Sequence, residues 1–227
     1  MFQSRKKANN YRNIGIFFIF VALLSFLLGL VSSSVVAYLI ALLFFIASLF
    51  FFENCETWGI GAQGEEKVAE YLAFLNKSYY IINDVVLPGT KGNIDHIVLG
   101  PNGIFVIETK NHKGFITCSG DWWKQRKIGR RGTPYLGNIG SPSKQVKRKA
   151  VLLNRFIQNR FKTYLYVNGI VVFANAKARL KIISPTVSVL RPQEICDFIK
   201  YYRSKTTKNI NLKELEAELK LYSRFSQ

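Results

Sequence analysis

The feature that most constrains this chain is a run of 39 residues, Ile14 to Phe52, without a single charged side chain. Three serines at positions 32–34 divide the run into two apolar arms of 18 residues, Ile14–Val31 and Val35–Phe52. A helix of 18 residues is about 27 Å long, which is close to the ~30 Å hydrocarbon core of a bilayer. The pattern predicts two transmembrane helices in a tight hairpin, so residues 14–52 have the lipid bilayer as their partner.

Two other interpretations of this run remain open. A secretory signal peptide has an apolar core of roughly 7–15 residues, followed by a cleavage site of small residues. The apolar stretch here continues for more than twice that length, which argues against such a peptide. A single tilted helix is the other alternative, but one crossing needs only about half of this run. We therefore expect two spans.

The charges before the run predict its orientation. The tail of residues 1–13 carries four basic residues and no acid. Basic flanks stay on the cytoplasmic side of a membrane, and two spans return the chain to the side where it began. We therefore expect the tail and the part after residue 52 to lie in the cytoplasm, at the inner (cytoplasmic) membrane. Three scattered cysteines without a C-x-x-C pair fit this reducing compartment.

Composition excludes several classes of protein. Of the 227 residues, 48% are hydrophobic, which excludes a long disordered chain. Two histidines and three separated cysteines are too few and too scattered for a His-rich metal site or a Cys-based zinc site. The net charge of +18 predicts a polyanionic partner, either nucleic acid or an anionic membrane surface.

The part that follows the apolar run has the periodicity of a mixed α/β domain. A Gly-Pro-Asn-Gly turn at 100–103 predicts that the strands on either side of it form a hairpin. The order α-β-β-β-α-β predicts a layered domain with additions at its end. The predicted elements are a helix at 61–76, strands at 79–87, 93–99, 103–111 and 114–119, a loop at 120–140, a helix at 141–161, strands at 167–174 and 182–190, and helices at 192–202 and 212–222.

The helix predicted at 61–76 presents one acid at the end of its apolar face. Glu65, Val68 and Leu72 share that face at i, i+3 and i+7 spacing. Glu66 is turned about 100° away, toward solvent. Glu65 is therefore the candidate functional acid of this helix. Its alternative role is that of an N-terminal acid stabilised by the helix dipole.

Chemically active side chains gather at the predicted hairpin. Glu108 and Lys110 are two residues apart on one strand and so face the same side, and Asp95 lies on the neighbouring strand. Two close carboxylates suit Mg²⁺ or Mn²⁺, which makes Asp95 and Glu108 the candidate metal ligands. Such an ion polarises a phosphate oxygen and lowers the pKa of a bound water. Lys110 would stabilise charge that develops on phosphorus, so the set suits hydrolysis of a phosphodiester.

The Glu-x-Lys triplet alone is weak evidence, because it occurs three times in the chain. The triplets that begin at Glu65 and Glu218 lie in predicted helices, where such pairs usually face solvent. Only the triplet at Glu108 ends an apolar strand whose hairpin partner carries an aspartate. A salt bridge at the edge of a sheet remains the alternative interpretation of Glu108 and Lys110.

Three segments resemble the nuclease-related domain family, NERD, of the PD-(D/E)xK nuclease superfamily. They are GAQGEEKV at 61–68, NIDHIVLGPNGIFVIETKNHKG at 93–114 and SPSKQ at 141–145, and they follow each other in the family's order. The resemblance covers most of residues 57–175. It implies a restriction-endonuclease-like core with the α-β-β-β-α-β order. We expect residues 176–227 to add a C-terminal strand and helices that complete this domain.

The resemblance also implies roles for individual residues. The family's Gly-x-x-Gly-Glu motif matches Gly61, Gly64 and Glu65, and its strand aspartate matches Asp95. Its Glu-x-Lys motif matches Glu108 and Lys110, and the glutamine that opens the following helix matches Gln145. Glu65 would assist the metal shell, and Gln145 would support the site. An exposed helix position is the alternative for Gln145. The family often has Asn-Pro where this chain has Ser141-Pro142, and a serine can cap a helix as an asparagine does.

A strongly basic segment follows the hairpin. Residues 111–162 contain 13 lysines and arginines but one acid, Asp121. Cations beside aromatic rings suit a phosphate backbone and unstacked bases. An anionic lipid surface and a merely solvated face are the alternatives. The candidate nucleic-acid contacts are Trp122, Trp123, Lys124, Arg126, Lys127, Arg130 and Arg131 in the predicted loop, and Lys144, Lys147 and Arg148 on the next helix.

These patterns and the resemblance together predict a membrane-anchored, Mg²⁺-dependent nuclease that acts on nucleic acid, expected to be DNA, at the cytoplasmic face. Many nucleases of the superfamily act in pairs, so a homodimer is a further implied partner. One alternative is a non-catalytic module that tethers nucleic acid to the membrane. Another is a scaffold whose basic face meets lipid. The acidic pair counts against a pure binding module, which has no need of one.

Overall fold

The computed structural model describes residues 1–89, 92–129, 131–203 and 210–224. Arg130, one of the candidate nucleic-acid contacts, lies outside the described residues. The chain divides into two compact units. Gln3–Ala62 with Met1 form the first, and Gln63–Gln227 with Phe2 form the second.

The first unit consists of two apolar helices, α1 (Gln3–Ser32) and the first part of α2 (Val35–Leu72). Both helices are long and apolar enough to cross a membrane, with mean hydropathies of 2.9 and 2.8. The two predicted apolar helices are therefore present. Their ends differ from the predicted 14–31 and 35–52, because α1 already includes most of the basic tail and α2 extends further.

Within this unit, small residues of α1 face aromatic rings of α2. A Cβ on Gly29 would lie 2.9 Å from Cε1 of Tyr38, and a Cβ on Gly15 would lie 3.1 Å from Cε2 of Phe52. Small residues let apolar helices approach each other closely in a membrane. Most of the large apolar side chains between residues 14 and 50 are exposed. Such a surface is unfavourable in water and suits contact with lipid.

Helix α2 differs from the prediction because it is continuous. A transmembrane helix at 35–52 and a separate helix at 61–76 were expected, whereas one helix runs from Val35 to Leu72. Residues 53–60 contain no proline. Their single glycine, Gly59, costs a helix only about 1 kcal/mol relative to alanine. Nothing in this segment is therefore strong enough to end the helix.

The second unit follows the predicted order of helices and strands and adds strands to it. In chain order the elements after α2 are β1 (Tyr80–Val85), β2 (Ile94–Gly100), β3 (Gly103–Lys110), β4 (Gly114–Gly120), β5 (Trp122–Ile128), β6 (Pro134–Gly137), α3 (Pro142–Phe161), β7 (Val167–Phe173), β8 (Ala178–Pro185), β9 (Ser188–Leu190), a 3-10 turn (Pro192–Glu194), α4 (Ile195–Tyr201) and α5 (Leu212–Lys220). The mixed α/β class is confirmed.

The first sheet has the strand order β1-β2-β3-β7-β9. Strands β1, β2 and β3 form an antiparallel meander, and the predicted turn pairs Gly100 with Gly103. Strand β7 is parallel to β3, and β9 is parallel to β7. Helices cover both faces of the sheet, which explains why every residue of β2 is buried.

The two faces of this sheet have separate cores. On one face, Val146 and Leu153 of α3 pack with Leu215 of α5. On the other face, Val68 of α2 packs with Ile195 and neighbouring residues of α4. Helix α3 begins as predicted, since Ser141 caps it by accepting a bond from the Lys144 backbone N–H and Pro142 takes the first position. The sheet therefore has two different helical surfaces on which a site could be built.

A second sheet, with the order β6-β5-β4-β8, corrects the prediction of a loop at 120–140. Strand β5 alternates, with Trp123 and Gln125 buried and Trp122, Lys124 and Arg126 exposed. The alternation is the period-two pattern of a strand with one solvated face. A polar Gln125 on the buried side hides the pattern, and its amide nitrogen donates to the Lys113 carbonyl. The strand predicted at 182–190 is likewise two strands, β8 and β9.

Candidate active site

Asp95 and Glu108, the acidic pair, lie on neighbouring strands of the first sheet. Strands β2 and β3 pair His96 with Ile107 and Ile97 with Val106, and the same register places Asp95 opposite Glu108. Both residues are buried, at 6% and 4% exposure. Oδ2 of Asp95 accepts a hydrogen bond of 2.7 Å from the backbone N–H of Thr109. The hairpin therefore brings the two predicted metal ligands together on the face that α3 covers.

Two lysines neutralise the acidic pair. Lys110 Nζ lies 2.5 Å from Oε1 of Glu108, as the shared face of the strand predicts. Lys149, from α3, contacts both acids: its Nζ lies 2.9 Å from Oδ1 of Asp95 and also pairs with Oε2 of Glu108. The acidic pair and these two lysines form a four-residue cluster with no net formal charge. Lys149 is the one member of the cluster that is not among the predicted site residues.

The Lys149 ammonium is held firmly by its surroundings. Burial alone would lower its pKa, but the negative charges of Asp95 and Glu108 outweigh that effect and raise the pKa above its ordinary value. Lys149 is therefore charged at neutral pH. The Lys149 ammonium occupies the position between the two buried carboxylates that a cation bound by both would occupy.

The acidic pair fits a divalent ion in part. Among the described residues, no three His, Cys, Asp or Glu side chains form a group that could hold a metal ion. Mg²⁺ is often held by only one or two carboxylates, with water and substrate phosphate supplying the other oxygens. Two buried carboxylates on adjacent strands fit that mode. Such an ion would have to bind the same carboxylates that already pair with the Lys149 ammonium.

His96 supports the site from the opposite face of β2, as the alternation with Asp95 predicts. Its Nδ1 lies 2.8 Å from Oδ1 of Asn83, and its Nε2 lies 3.2 Å from the Thr109 hydroxyl. Burial lowers the pKa of His96 to about 3, with a further lowering from the Lys149 charge. The ring is therefore neutral, and it links β1, β2 and β3 beside the acidic pair.

Glu65 belongs to the helix that packs on the other face of β3. A Cβ on Gly64 would lie 2.7 Å from Cβ of Asn111 and 3.4 Å from Cγ2 of Thr109. Only glycine allows α2 to approach the end of β3 this closely, which explains the second glycine of the motif. Lys67 of the same helix donates to the Ala174 carbonyl at 3.3 Å. Glu65 is half-buried beside this contact, whereas the cluster of four lies on the α3 face.

Gln145 lies one helical turn before Lys149 on α3, so the two side chains share a face. Its residue is half-buried, and its amide lies beside Gly140, whose Cβ would be 3.5 Å from Nε2 of Gln145. The helix thus presents a predicted residue and an unpredicted one on the same side. Spacing of i and i+4 from Gln145 is the sequence signal that could have identified Lys149.

The second sheet carries a basic face, defined here by Lys124, Arg126, Arg179 and Lys181. Strand β4 lies between β5 and β8, so Phe115 is paired with both Arg126 and Arg179, and Thr117 with both Lys124 and Lys181. All four cations are exposed, and β4, β5 and β8 contain no acid. The Arg126 guanidinium lies 5.6 Å from the Phe115 ring centre.

Arg179 and Lys181 were not among the predicted nucleic-acid contacts. They join the basic face only because β8 pairs with β4, two segments that are distant in sequence. The alternation of buried Ala178, exposed Arg179 and exposed Lys181 along β8 was the available signal. The basic face is therefore wider than the segment 111–162 from which it was predicted.

The other predicted contacts have different environments. Trp122 is 79% exposed, and Lys144 Nζ lies 5.6 Å from its ring centre. Lys147 is tied to Asp121 at 2.6 Å and to Thr186 at 3.1 Å. Arg131 and Arg148 are exposed, and Lys127 is half-buried.

Trp123 corrects the prediction of a base-stacking ring. It is only 8% exposed, packs against Phe173 at 5.6 Å between ring centres, and donates from Nε1 to the Ser143 hydroxyl at 2.9 Å. Its place on the inner face of β5 makes it part of the core that joins the second sheet to α3. We therefore assign it a structural role.

Comparison with known proteins identifies the family of this domain. The family model of the nuclease-related domain matches residues 60–174, a segment that contains the whole cluster of four. A Bacillus anthracis protein, uncharacterized protein pXO1-01, is 43% identical over 60 residues. That similarity covers 25% of this chain and 28% of the relative, so this chain spans less than a third of the relative's length. No solved structure matches the chain. The chain belongs to the nuclease-related domain, or NERD, family.

Proposed function

We propose that this protein is a membrane-anchored, divalent-metal-dependent nuclease that hydrolyses phosphodiester bonds in nucleic acid, with DNA as the expected substrate. The observation that carries the proposal is the burial of Asp95 and Glu108 side by side on β2 and β3, next to Lys110. Burying two carboxylates together is costly unless they are paired or bind a cation. Membership of a nuclease-related family supports phosphodiester chemistry for such a pair.

Asp95 and Glu108 would hold Mg²⁺ or Mn²⁺, and water and a substrate phosphate would complete the coordination. When bound, the ion would polarise that phosphate and lower the pKa of a bound water. Lys110 would offset the negative charge that grows on the phosphate. Its side chain is 17% exposed, against 5% for Glu108, so it lies at the more open side of the pair. Gln145 would support this centre from α3, whereas Glu65 keeps only the role that the family resemblance implies, since α2 covers the other face of the sheet.

The basic face and Trp122 would hold the nucleic acid. Four exposed cations without an intervening acid attract phosphates irrespective of sequence, and an exposed indole can stack on an unpaired base. The contacts proposed from the sequence stay in this set where they are exposed, namely Trp122, Lys124, Arg126, Arg131, Lys144 and Arg148. Arg179 and Lys181 are added to them.

The two apolar helices would anchor the protein in the inner membrane. Basic residues in the first part of α1, before the apolar run, favour a cytoplasmic N-terminus. With two spans, the nuclease-related domain would also be cytoplasmic. A reporter fused after Gln227 that is active only in the cytoplasm tests this topology, and activity only outside the cytoplasm would contradict it.

The function is tested with the full-length protein in a nonionic detergent. Supercoiled plasmid is incubated with Mg²⁺, Mn²⁺ or EDTA, for the wild type and for Asp95→Asn and Lys110→Met. Asp197→Asn, which alters an exposed acid of α4, is the matched control for a contaminating nuclease. We expect cutting that needs a metal, is lost in the first two variants and persists in the control. Equal cutting by all four preparations would overturn the proposal.

A non-catalytic module that tethers nucleic acid is the second candidate. One observation favours it: Lys149 already pairs with both carboxylates, so the acidic pair is satisfied without a metal. Fluorescence anisotropy with a labelled duplex distinguishes the two candidates. Tight binding without cutting under any metal, unchanged in Asp95→Asn and Lys110→Met, would favour the tethering module.

A further inference from the structure

Each oxygen of the acidic pair already has a protein nitrogen against it. Oδ2 of Asp95 accepts from the Thr109 backbone, and Oε1 of Glu108 accepts from Lys110. The two remaining oxygens, Oδ1 of Asp95 and Oε2 of Glu108, both face Lys149 Nζ. A cation that bridges the two carboxylates without breaking the other bonds must therefore use the oxygens that Lys149 holds.

Lys149 and a divalent ion cannot share these oxygens cheaply. The side chain of Lys149 is only 19% exposed, and those of Asp95 and Glu108 are 8% and 5% exposed. Little water is present to screen the repulsion between an ammonium and a metal ion a few ångströms apart. Lysine is a compact charge on a flexible four-carbon stem, so its ammonium can leave the pair while α3 stays in place.

We propose that Lys149 is a resident counter-ion that competes with the divalent metal for Asp95 and Glu108, so that metal binds only as the Lys149 ammonium leaves the pair. The inference rests on the proposed function, because it takes the acidic pair as the metal site. Lys149 acts here as a positioning residue, since it sets the occupancy of the site through the two carboxylates. Its presence raises the apparent Kd for the metal by the inverse of the fraction of molecules in which the ammonium has left the pair.

The test measures metal binding in the absence of nucleic acid. Full-length protein in detergent is titrated with Mn²⁺, and free Mn²⁺ is followed by electron paramagnetic resonance. The variants are Lys149→Met, which keeps the stem and removes the charge, and Lys149→Arg, which keeps the charge. Arg160→Met is the matched control, because Arg160 lies on the same helix as Lys149 and its ion pair is with Glu218 of α5. The double variant Glu108→Gln/Lys149→Met lacks one carboxylate of the acidic pair, so the Mn²⁺ that it binds measures binding elsewhere on the protein.

We expect Lys149→Met to bind Mn²⁺ at least about tenfold more tightly than the wild type, and Arg160→Met to bind it as the wild type does. Lys149→Arg should bind no more tightly than the wild type. Loss of fold in Lys149→Met would weaken binding, so tighter binding cannot arise from a merely structural role. As a second readout, Mn²⁺ should raise the unfolding temperature of Lys149→Met more than that of the wild type.

Two results would overturn the inference and are distinguishable. If the wild type and Lys149→Met bind Mn²⁺ equally, and Glu108→Gln with Lys149→Met does not bind it, the metal site stands and the competition fails. If no preparation binds Mn²⁺ beyond the level of the double variant, both the competition and the proposed metal-dependent function fail.

Discussion

Lys149 Nζ lies 2.9 Å from Oδ1 of Asp95, although the two residues are 54 positions apart in the chain. Strand β2 supplies the acid and helix α3 supplies the lysine, so the contact exists only when the helix is packed on the sheet. The same ammonium contacts Glu108. The charge balance of the candidate centre therefore depends on the tertiary fold and not on the hairpin alone.

Glu108→Gln should destabilise the domain by about 2–4 kcal/mol, because it leaves two largely buried lysines facing one carboxylate. Glu108 is the partner of both Lys110 and Lys149. Urea unfolding followed by tryptophan fluorescence measures the change in metal-free buffer. Asp197→Asn, which removes an exposed pair with Lys200 on α4, should cost no more than about 0.5 kcal/mol. Equal effects of the two substitutions would contradict the account.

Gly64→Ala should destabilise the domain by about 1–3 kcal/mol. Its Cβ would lie 2.7 Å from Cβ of Asn111, so α2 would have to move away from the end of β3. Gly61→Ala is the matched control in the same helix, because nothing lies within 4 Å of its Cβ. That substitution should stabilise the helix by about 0.5–1 kcal/mol. Thermal unfolding of the two variants compares them directly, and equal melting temperatures would contradict the close approach.

His96 should make stability fall as the solution becomes acidic. Its pKa is about 3 in the folded chain, below the ordinary 6.5, so between these values the unfolded chain binds more protons and folding weakens as pH falls. From pH 6.5 to pH 5 the loss should be about 2 kcal/mol. Urea unfolding in EDTA at several pH values measures the slope.

Replacement of His96 provides the control for this slope. His96→Asn should flatten the dependence between pH 6.5 and pH 5, a window that lies above the ordinary titration of carboxylates. His112 contributes in the same direction, since burial and the charges of Lys110 and Lys127 lower its pKa. The account would be contradicted if stability depended on pH as steeply in His96→Asn as in the wild type, while the dependence disappeared in His112→Asn. His112, and not His96, would then be the source of the effect.

Neutralising the basic face should weaken nucleic-acid binding without loss of fold. Arg126→Ala and Lys181→Ala remove exposed cations from β5 and β8, the strands on either side of β4. Each should reduce the salt dependence of DNA binding by roughly one phosphate contact. Fluorescence anisotropy in EDTA at several salt concentrations measures this slope. Lys220→Ala, which lies on α5 outside the basic face, should leave the slope unchanged, and a similar reduction there would indicate only an effect of net charge.

The hairpin that carries the acidic pair could be predicted because all of its determinants are local. The turn at 100–103 sets the register, and alternation then places Asp95, Glu108 and Lys110 on one face. The same applies to the start of α3, where Ser141 and Pro142 act as cap and first residue. These signals act between residues that are close in sequence, so the packing of distant segments does not change them.

The parts that were missed depend on packing between distant segments. Lys149 resembled the other lysines of a basic helix until α3 was placed against β2 and β3. The period-two pattern of β5 is hidden because its inner face carries Gln125, whose amide nitrogen donates to a carbonyl outside its own strand. The burial of Trp123 is hidden for the same reason, since only the second sheet shows which of two adjacent tryptophans points inward.

The central claim is that Asp95 and Glu108 form a metal-dependent hydrolytic centre. Its most direct test is the rate of plasmid cutting in Mg²⁺ by full-length wild type and by Glu108→Gln, purified identically and compared at equal DNA occupancy. The account predicts a loss of about 100-fold or more in the variant, with DNA affinity within about twofold. A variant that cuts as fast as the wild type would contradict it.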